Sequence, residues 1–470
     1  MQSILRLIAA LGLALGPAVT ALDKTFRLPT NVKPSHYDIF VEFDKDKAEG
    51  VQRATSAVKF TVLEDNLTSF KVHAKNLTFS KVQLHEEGRD DPESLRYTLD
   101  EERQTIEFNN LPRPLMRGST YSLMTQYIFF VGERHLLATG IFSTDEYYLA
   151  TTFESILART VFPCFDEPAI KATFKVAVTV LHKNEKNAIY KAISNTPSIA
   201  VVPGSGSTTT YFGTTPVMST YLVTMALPKR DVVQKTSNLA SPVSTVYDRT
   251  ERLDSNFIRK VVLYFNKLYG VENPLPKVDY LADSGTGYAI ENWGAIYGNA
   301  TIGTVVHEVG HQHFGNLVTC AWWNDVWLNE GLNTYAGAVA KHLSNYEFAL
   351  ADDFYPNFGF HVYFKGPAVA RMIAELLGGE RRMDRMLAEY IQKFQYYLRH
   401  IDASFDERTH QFTFRQYSIV ASRPKQVWNI PIFYRIKGET KNRMWFFPKP
   451  IDSSIVLRVP ILPGKQASDK

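Results

Sequence analysis

The sequence predicts a multidomain protein of the α+β class, because its apolar pattern changes period twice along the chain. With 470 residues the chain is too long for one ordinary hydrophobic core, so two or three domains are expected. Alternating apolar residues fill the first part, helical spacing begins near Ser255, and alternation returns from His410. We therefore expect a β-sandwich-like domain over 22–228, a mixed α/β domain over 229–400 and a short β module over 401–470.

The strands of the first domain are predicted by strict alternation of apolar and polar residues. One segment alternates at Tyr37, Ile39, Val41 and Phe43, and a second alternates at Phe174, Val176, Val178 and Val180. A turn-rich segment at 203–207 separates two further strands.

The helices of the second domain are predicted by apolar residues three or four positions apart. The first such set is Phe257, Val261, Tyr264 and Leu268, with Ser255 as the expected cap and Gly270 as the stop. Helical patterns recur at the histidine-rich stretch 304–315, after Gly331 and after Gly366. In the last of these, Val369, Met372, Ile373 and Leu376 share a face.

Residues 1–21 have the features of a secretion signal. Arg6 is the sole charge, an apolar stretch covers Leu7–Leu15, and small residues at Val19 and Ala21 suit signal peptidase. The apolar stretch is short for a membrane span of about 20 residues, so we expect a cleaved signal and a secreted chain without a transmembrane segment. An uncleaved anchor, which would hold the protein at the cell surface, is the alternative.

Charge, cysteine content and sequons narrow the class of protein further. Lys and Arg number 52 against 48 Asp and Glu, an excess too small to indicate a nucleic-acid partner. With Cys164 and Cys320 alone the chain is no disulfide scaffold, and two buried free thiols are expected rather than a bridge. Three Asn-X-Thr triplets, at Asn66, Asn76 and Asn299, are candidate glycan acceptors.

The stretch TVVHEVGHQHFG, residues 304–315, carries the pattern of a metal site. On an α-helix a step of four residues rotates by only about 40°, so His307 and His311 share a face and can bind one cation. Glu308 lies about 100° from His307, within reach of a reacting water, whereas His313 lies about 240° round and points away. The pattern therefore indicates two ligands and a base, unless the histidines are ordinary core residues.

A third ligand is expected on the following helical pattern, WLNEGLNTYAG. Glu330 lies there, with eighteen residues between it and His311, after the aromatic approach WWNDVW. Two imidazoles and one carboxylate suit Zn²⁺ and leave a position open for catalysis. We expect one zinc ion per chain, bound by His307, His311 and Glu330.

Several separated segments resemble the zinc aminopeptidases related to aminopeptidase N, whose signature is HExxH-x18-E. The segments are FPCFDEP (162–168), PLPK (274–277), AIENWG (289–294), HEVGHQHFGNLVT (307–319), WWNDVWLNEG (322–331) and VYFKG (362–366). The resemblance implies a thermolysin-like catalytic domain after the N-terminal β domain, then a small, here partial, β-sandwich.

The same resemblance implies roles for individual residues. Glu308 would be the general base and Tyr363 would donate to the oxyanion of the tetrahedral intermediate. Glu291, with Ala289 and Asn292 in the position of the GAMEN motif, and Glu154 would bind the free α-amino group of a peptide. Carboxylates fixed one residue from the metal select a charged N-terminus, which makes an exopeptidase.

Four departures from the family pattern suggest a reduced scaffold. Tyr288 replaces the first glycine of GAMEN, and only fourteen residues lie between Asn292 and His307. The interval from Glu330 to Tyr363 is also short. After Tyr396 the chain passes into the β module, without the family's later catalytic-domain helices and large helical domain.

The leading hypothesis is a secreted zinc aminopeptidase acting on peptides with a free N-terminus. A catalytically impaired binding protein on the same fold is the alternative, favoured by Tyr288 and the missing segments. An endopeptidase or an epoxide-hydrolysing relative is a further alternative, and the amine-binding carboxylates Glu154 and Glu291 argue against a plain endopeptidase.

Overall fold

The computed structural model describes most of the chain up to residue 339 and separate segments beyond it. The described residues are 26–45, 49–89, 91–133, 140–144, 147–183, 185, 188–229, 232–237, 242–250, 253–339, 367, 370–371, 374, 380–394, 401–406, 411–416, 431–434, 443–446 and 454–458. They fall into two compact units, residues 28–398 and the remainder.

The N-terminal part of the first unit is built of β-strands. They are β1 (Val32–Asp44), β2 (Gly50–Val62), β3 (Phe70–His73), β4 (Thr78–Glu86), β5 (Glu93–Ser94), β6 (Thr98–Asp100), β7 (Thr105–Phe108), β8 (Thr120–Glu133), β9 (Ile141–Ser143), β10 (Tyr147–Thr151), β11 (Thr173–Leu181), β12 (Ile193–Ser194), β13 (Ser198–Gly204), β14 (Ser207–Phe212) and β15 (Met225–Pro228). One large sheet has the order β12-β15-β10-β9-β8-β2-β1-β11-β14-β13, with β4 and β5 attached at β8. A small sheet, β3-β7-β6, lies beside it in the fold's core.

The predicted alternation is confirmed in β1 and is only partly observed in β11. Tyr37, Ile39, Val41 and Phe43 are all buried, with more accessible residues between them. In β11 the intervening residues Ala177 and Thr179 are buried as well, whereas Lys175 is exposed. β1 and β11 pair in parallel, and the rings of Tyr37 and Phe174 stack with centroids 4.6 Å apart.

The following part of the first unit combines a smaller sheet with a few helices. Its strands are β16 (Val233–Thr236), β17 (Thr245–Asp248), β18 (Asp279–Ala282), β19 (Ala289–Ile290) and β20 (Ala295–Gly298), in the order β16-β17-β18-β20-β19. The described α-helices are α1 (Ser255–Tyr269), α2 (Ile302–Gly310), α3 (Val326–Val339) and α4 (Glu380–Phe394). β17, β18 and β20 are parallel, whereas β19 forms an antiparallel edge.

The helices pack into one core, and α1 shows how they are delimited. Its inner face buries Ile258, Val261 and Phe265 in the same apolar cluster as residues of α2 and α4. The helix ends at the predicted Gly270, which adopts a left-handed conformation with φ 62°. The predicted cap was wrong by one residue, since the Asp254 side chain accepts from Asn256 N and Ser255 is the first helical residue.

The second unit contains short strands in the region predicted to be a β module. They are β21 (Ile401–Asp406), β22 (Gln411–Gln416), β23 (Pro431–Tyr434), β24 (Arg443–Phe446) and β25 (Ser454–Arg458). β21, β22 and β25 form one sheet, and β23 pairs with β24.

Two further predictions concern the thiols and the membrane. Cys164 and Cys320 are free and buried, as the sequence predicts. Within the described residues, no helix combines the length and the apolar character that crossing a membrane requires.

Candidate metal centre and substrate site

The histidine-bearing helix α2 is shorter than the sequence predicts. The Thr301 side chain caps it by accepting from Thr304 N at 3.2 Å, and the helix ends at Gly310. His311 follows as the C-terminal cap, its N–H donating to His307 O at 3.1 Å. His307 and His311 therefore still lie one turn apart on one face, although the helix does not continue to His313.

The three predicted metal ligands converge at one point. His307 Nε2 lies 2.9 Å from His311 Nε2, and Glu330 Oε2 lies 3.1 Å and 3.2 Å from these two atoms. All three residues are buried. Two imidazole nitrogens and a carboxylate oxygen are thus arranged as a triangle inside the protein.

This triangle has the dimensions of a zinc site. Ligand atoms about 2.0–2.2 Å from one tetrahedral zinc lie about 3.3–3.6 Å from one another, slightly more than the distances in the triangle. His311 Nδ1 lies 2.9 Å from Phe314 O, and since a carbonyl can only accept, this nitrogen carries the proton. The lone pair of neutral His311 is then on Nε2, which faces His307 and Glu330, so the residues present fit a zinc ion.

The protonation of the triad follows from burial and mutual charge. Burial lowers the pKa of His307, with a further lowering from His311. Burial also opposes the charged form of His311, but Glu330, Glu291 and Glu308 outweigh it, so the pKa of His311 is raised well above its usual value. Glu330 is buried too, yet the two histidines hold the pKa of its carboxyl well below the usual range. Glu330 and His311 therefore each stabilise the charged form of the other.

Helix α3 holds α2 in place by a close contact at Gly310. Asn333 Nδ2 donates to His307 O at 2.7 Å, and Thr334 Oγ1 lies 3.4 Å from His307 Nδ1. A Cβ on Gly310 would lie 2.1 Å from Asn333 Oδ1, so a side chain at residue 310 would push the helices apart. Gly310 lets the helix that carries Glu330 approach the helix that carries the histidines.

His313 takes no part in the triad, as the sequence predicts. Its Nε2 donates to Val271 O at 2.9 Å, and its ring packs against Tyr269 with centroids 5.2 Å apart. Burial lowers the pKa of His313 to about 4, so the imidazole is neutral at neutral pH.

Glu308 is a buried carboxylate beside the triad. It occupies the helix position after His307 and is 5% exposed. Burial raises its pKa well above the usual value, and the nearby Glu291 and Glu330 raise it further, while His311 lowers it. A carboxyl group with a raised pKa can accept and return a proton near neutral pH.

Glu154 and Glu291 form a second cluster that shares Glu330 with the triad. One carboxylate oxygen of each of Glu154, Glu291 and Glu330 lies within 4.8 Å of the others. Oε1 of Glu154 and Oε1 of Glu291 are buried and have no hydrogen-bond partner within the described residues. Burial raises the pKa of both carboxyls, and their mutual repulsion adds to it for Glu154. A cationic group entering the cluster would relieve both effects.

The main chain of Glu291 is held by two side chains from the turn after α2. Asn316 Nδ2 donates to Glu291 O at 2.8 Å and Gln312 Nε2 donates to the same oxygen at 3.2 Å. Gln312 Oε1 also accepts from Gly294 N at 3.0 Å. The sequence reasoning missed both residues, although they lie inside the segment HEVGHQHFGNLVT.

The turn itself is held by residues of the N-terminal β domain. Lys171 Nζ donates to Asn316 O at 3.1 Å and to Leu317 O at 3.2 Å, and Tyr221 Oη donates to Gly315 O at 2.9 Å. Burial lowers the pKa of Lys171 to about 7. Nothing in the sequence pattern marks these contacts, because they join segments about 100 residues or more apart.

The short connection between Asn292 and His307 is formed by a β-hairpin followed by the start of α2. β19 and β20 pair directly, Asn299 N donates to Tyr288 O at 2.7 Å, and α2 begins at Ile302. Fourteen residues therefore suffice to carry the chain from Asn292 to His307 with Glu291 close to Glu330. Tyr288 is half-buried beside this hairpin.

The remaining predicted site residues are Ala289, Asn292 and Tyr363. Ala289 is half-buried in β19. Asn292 is fully buried, and its Nδ2 donates to Thr224 Oγ1 at 3.2 Å, which ties the strand to the N-terminal β domain. Their contact with substrate stays a prediction. Tyr363 lies outside the described residues, as do Val369, Met372, Ile373 and Leu376 of the helical face predicted after Gly366.

Two protein-family domains match the chain in the order of its two parts. The peptidase M1 N-terminal domain matches residues 33–222, and the peptidase family M1 domain matches residues 254–356, which includes the whole triad. The chain belongs to the M1 peptidase family. In its terms, the molecule has an M1 β-rich N-terminal domain followed by a partial M1 catalytic domain with few helices.

Individual M1 aminopeptidases are similar to the chain over most of its length. Human endoplasmic reticulum aminopeptidase 1 is 31% identical over 359 residues, covering 70% of this chain and 37% of that protein. Human aminopeptidase Q is 30% identical over 379 residues, covering 66% and 37%. Bovine aminopeptidase N is 29% identical over 458 residues, covering 81% and 46%. The chain thus spans less than half the length of these relatives.

Proposed function

We propose that this M1 chain is a zinc-dependent aminopeptidase that removes N-terminal residues from peptides. The observation that carries the proposal is the position of Glu330, which belongs both to the His307–His311 triad and to the cluster with Glu154 and Glu291. The buried carboxylates of Glu154 and Glu291, which can bind a cationic group, therefore lie directly beside the triad that fits a metal ion.

Glu154 and Glu291 would recognise the substrate. A peptide N-terminus is an ammonium group with several N–H donors, and the unpartnered Oε1 atoms of these residues can accept from it. Because the two clusters share Glu330, the bound amine lies within about one residue of the metal ligands, which directs cleavage to the first peptide bond.

Glu308 would transfer the proton. It accepts a proton from the attacking water and returns it to the amine of the leaving peptide, and its raised pKa suits both steps. When bound to His307, His311 and Glu330, zinc supplies Lewis-acid chemistry, which stabilises negative charge on oxygen and acidifies water. Tyr363, outside the described residues, would donate to the oxyanion on the basis of the family resemblance alone.

Secretion belongs to the same proposal and is supported by the sequence of residues 1–21, with its single charge, short apolar stretch and small residues at the expected cleavage position. Peptides outside the cell would then be the substrates.

The proposal is tested by metal analysis and turnover on the same purified chain. We expect about one zinc per chain and hydrolysis of amino-acid anilides. Glu308→Gln should lower turnover at least about a hundredfold while zinc stays bound, because the base is lost and the ligands remain. The matched control is Glu272→Gln, since Glu272 is exposed, and it should leave both values unchanged.

Exopeptidase action and the alternative function are separated by two further results. Peptides with a free N-terminus should be cleaved and their N-acetylated forms should not, because acetylation removes the positive charge that Glu291 and Glu154 would bind. Stoichiometric zinc without any turnover that depends on Glu308 would refute the enzyme and favour the binding protein. Half-buried Tyr288, at a position where the family has glycine, is the feature that favours this alternative.

A further inference from the structure

The three Asn-X-Thr triplets of the chain lie in different environments. Asn66 and Asn76 are exposed and lie in the connections on either side of β3. The middle residues of their triplets, Leu67 and Leu77, are buried in the main core at 6% and 7% exposure. The threonines of both triplets, Thr68 and Thr78, are exposed. In both triplets the leucine anchors the chain while the asparagine and threonine face solvent.

The backbone at the first two asparagines is in the left-handed region. Asn66 has φ 52° and Asn76 has φ 57°, a left-handed conformation that asparagine tolerates better than most residues. Neither side-chain amide makes a hydrogen bond within the described part of the chain, so both Nδ2 atoms are free to be modified without loss of a contact.

The side chain of Asn299, in contrast, makes hydrogen bonds within the protein. It is half-buried, its Oδ1 accepts from Thr301 N at 3.0 Å, and its Nδ2 lies 3.4 Å from Thr286 O. The threonine of its triplet, Thr301, caps α2 through Thr304 N. A sugar on Asn299 would disturb the turn that leads from the β19–β20 hairpin into the histidine helix.

We propose that Asn66 and Asn76 carry N-linked glycans and that Asn299 does not. The proposal rests on the proposed secretion, since the donor is a lipid-pyrophosphate-linked oligosaccharide of the secretory pathway. The asparagine Nδ2 forms a bond to the anomeric carbon of the oligosaccharide, and the bond from that carbon to the pyrophosphate breaks. The lipid pyrophosphate leaves, and the amide nitrogen loses one proton.

The glycan positions are mapped on the full chain expressed with its own N-terminal segment in secreting eukaryotic cells. Enzymatic deglycosylation in heavy-oxygen water converts each glycosylated asparagine into labelled aspartate, which peptide mass spectrometry locates. We expect label at Asn66 and Asn76 and none at Asn299. Asn66→Gln and Asn76→Gln should each remove one glycan from the intact mass, and the double variant should remove both.

Matched variants separate loss of a glycan from loss of the fold. Thr68→Ala and Thr78→Ala should remove the same glycans while keeping the asparagines, whereas Thr68→Ser and Thr78→Ser should retain them. Asn299→Gln should leave the glycan mass unchanged.

Two outcomes overturn the proposal: an unglycosylated chain, or label at Asn299. Protease protection in microsomes then tells whether the chain failed to enter the lumen or entered it and was not modified. Zinc content and anilide hydrolysis, measured on bacterially produced chain without glycans, remain an independent test of the aminopeptidase proposal.

Discussion

Replacing Lys171 with methionine should remove one part of the pH dependence of the free energy of unfolding, the part in which buried Lys171 makes the protein less stable at neutral than at alkaline pH. Lys171 is 4% exposed, and burial lowers its pKa to about 7 from an ordinary value near 10.5. At about pH 7 to pH 10 the unfolded chain therefore binds a proton at this residue that the folded chain has lost or is losing. Because the unfolded state binds more protons there, the free energy of unfolding rises with pH in this window.

The magnitude follows from the two pKa values. With one proton bound in the unfolded state and about half a proton in the folded state at pH 7, the contribution rises by about 2 kcal/mol between pH 7 and pH 9. Lys171→Met has no charge to bury, so this part of the pH dependence should disappear. The variant loses the bonds to Asn316 O and Leu317 O, which lowers its stability by a similar amount at every pH.

The assay is urea unfolding at pH 7 and pH 9, with the rise in unfolding free energy compared between proteins. The wild type should gain about 2 kcal/mol more than Lys171→Met over this interval. Lys175→Met, an exposed change four residues along the chain, should keep the wild-type slope. An equal slope in the wild type and Lys171→Met would show that Lys171 keeps an ordinary pKa and would refute the reasoning.

Three further perturbations test the metal site and its supports. Gly310→Ala places a methyl group 2.1 Å from Asn333 Oδ1, so urea unfolding should show a loss of about 1–3 kcal/mol despite alanine's helix propensity, and zinc content should fall. Gly337→Ala, with its nearest neighbour at 3.7 Å, should be neutral or stabilising, and an equal loss there would contradict the packing argument. Removing zinc with a chelator should lower the thermal unfolding midpoint reversibly, because a ligand bound by the folded state alone stabilises it; an unchanged midpoint would argue against a bound metal. Asn316→Ala removes a donor from Glu291 O, so KM for free-amine substrates should rise about five- to tenfold with kcat little changed, and a drop in kcat alone would assign Asn316 a different role.

The sequence predicted the parts of the fold and site that local spacing determines. Apolar alternation located β1, helical spacing located α1, and the intervals among His307, His311 and Glu330 predicted the convergence of these three residues. Each of these predictions depends on the geometry of one element or on a motif that joins two neighbouring helices.

The parts that local spacing could not predict depend on contacts between distant segments. The parallel pairing of β1 with β11 joins residues more than 100 positions apart, and neither strand's pattern specifies its partner. After α2 ends at Gly310, a turn brings Asn316 Nδ2 to Glu291 O, 25 residues away in the sequence. The cap at Asp254 was assigned one residue late for a local reason, because Asp254 and Ser255 are both good caps.

The metal ligands and the amine-binding carboxylates come from different segments of the chain. Under increasing denaturant, we therefore expect substrate discrimination to be lost before metal binding. The metal ligands lie within 24 residues of sequence, 307–330, and are held by the adjacent helices α2 and α3. Glu154 instead follows β10 of the other domain, and Glu291 is aligned through a turn to which Lys171 and Tyr221 donate. Mild denaturation that separates the domains should first abolish discrimination between free and blocked N-termini, leaving a chain that still retains metal. On the proposed function, selectivity for a free N-terminus would depend on the contacts between the two domains, and metal binding would depend on one of them.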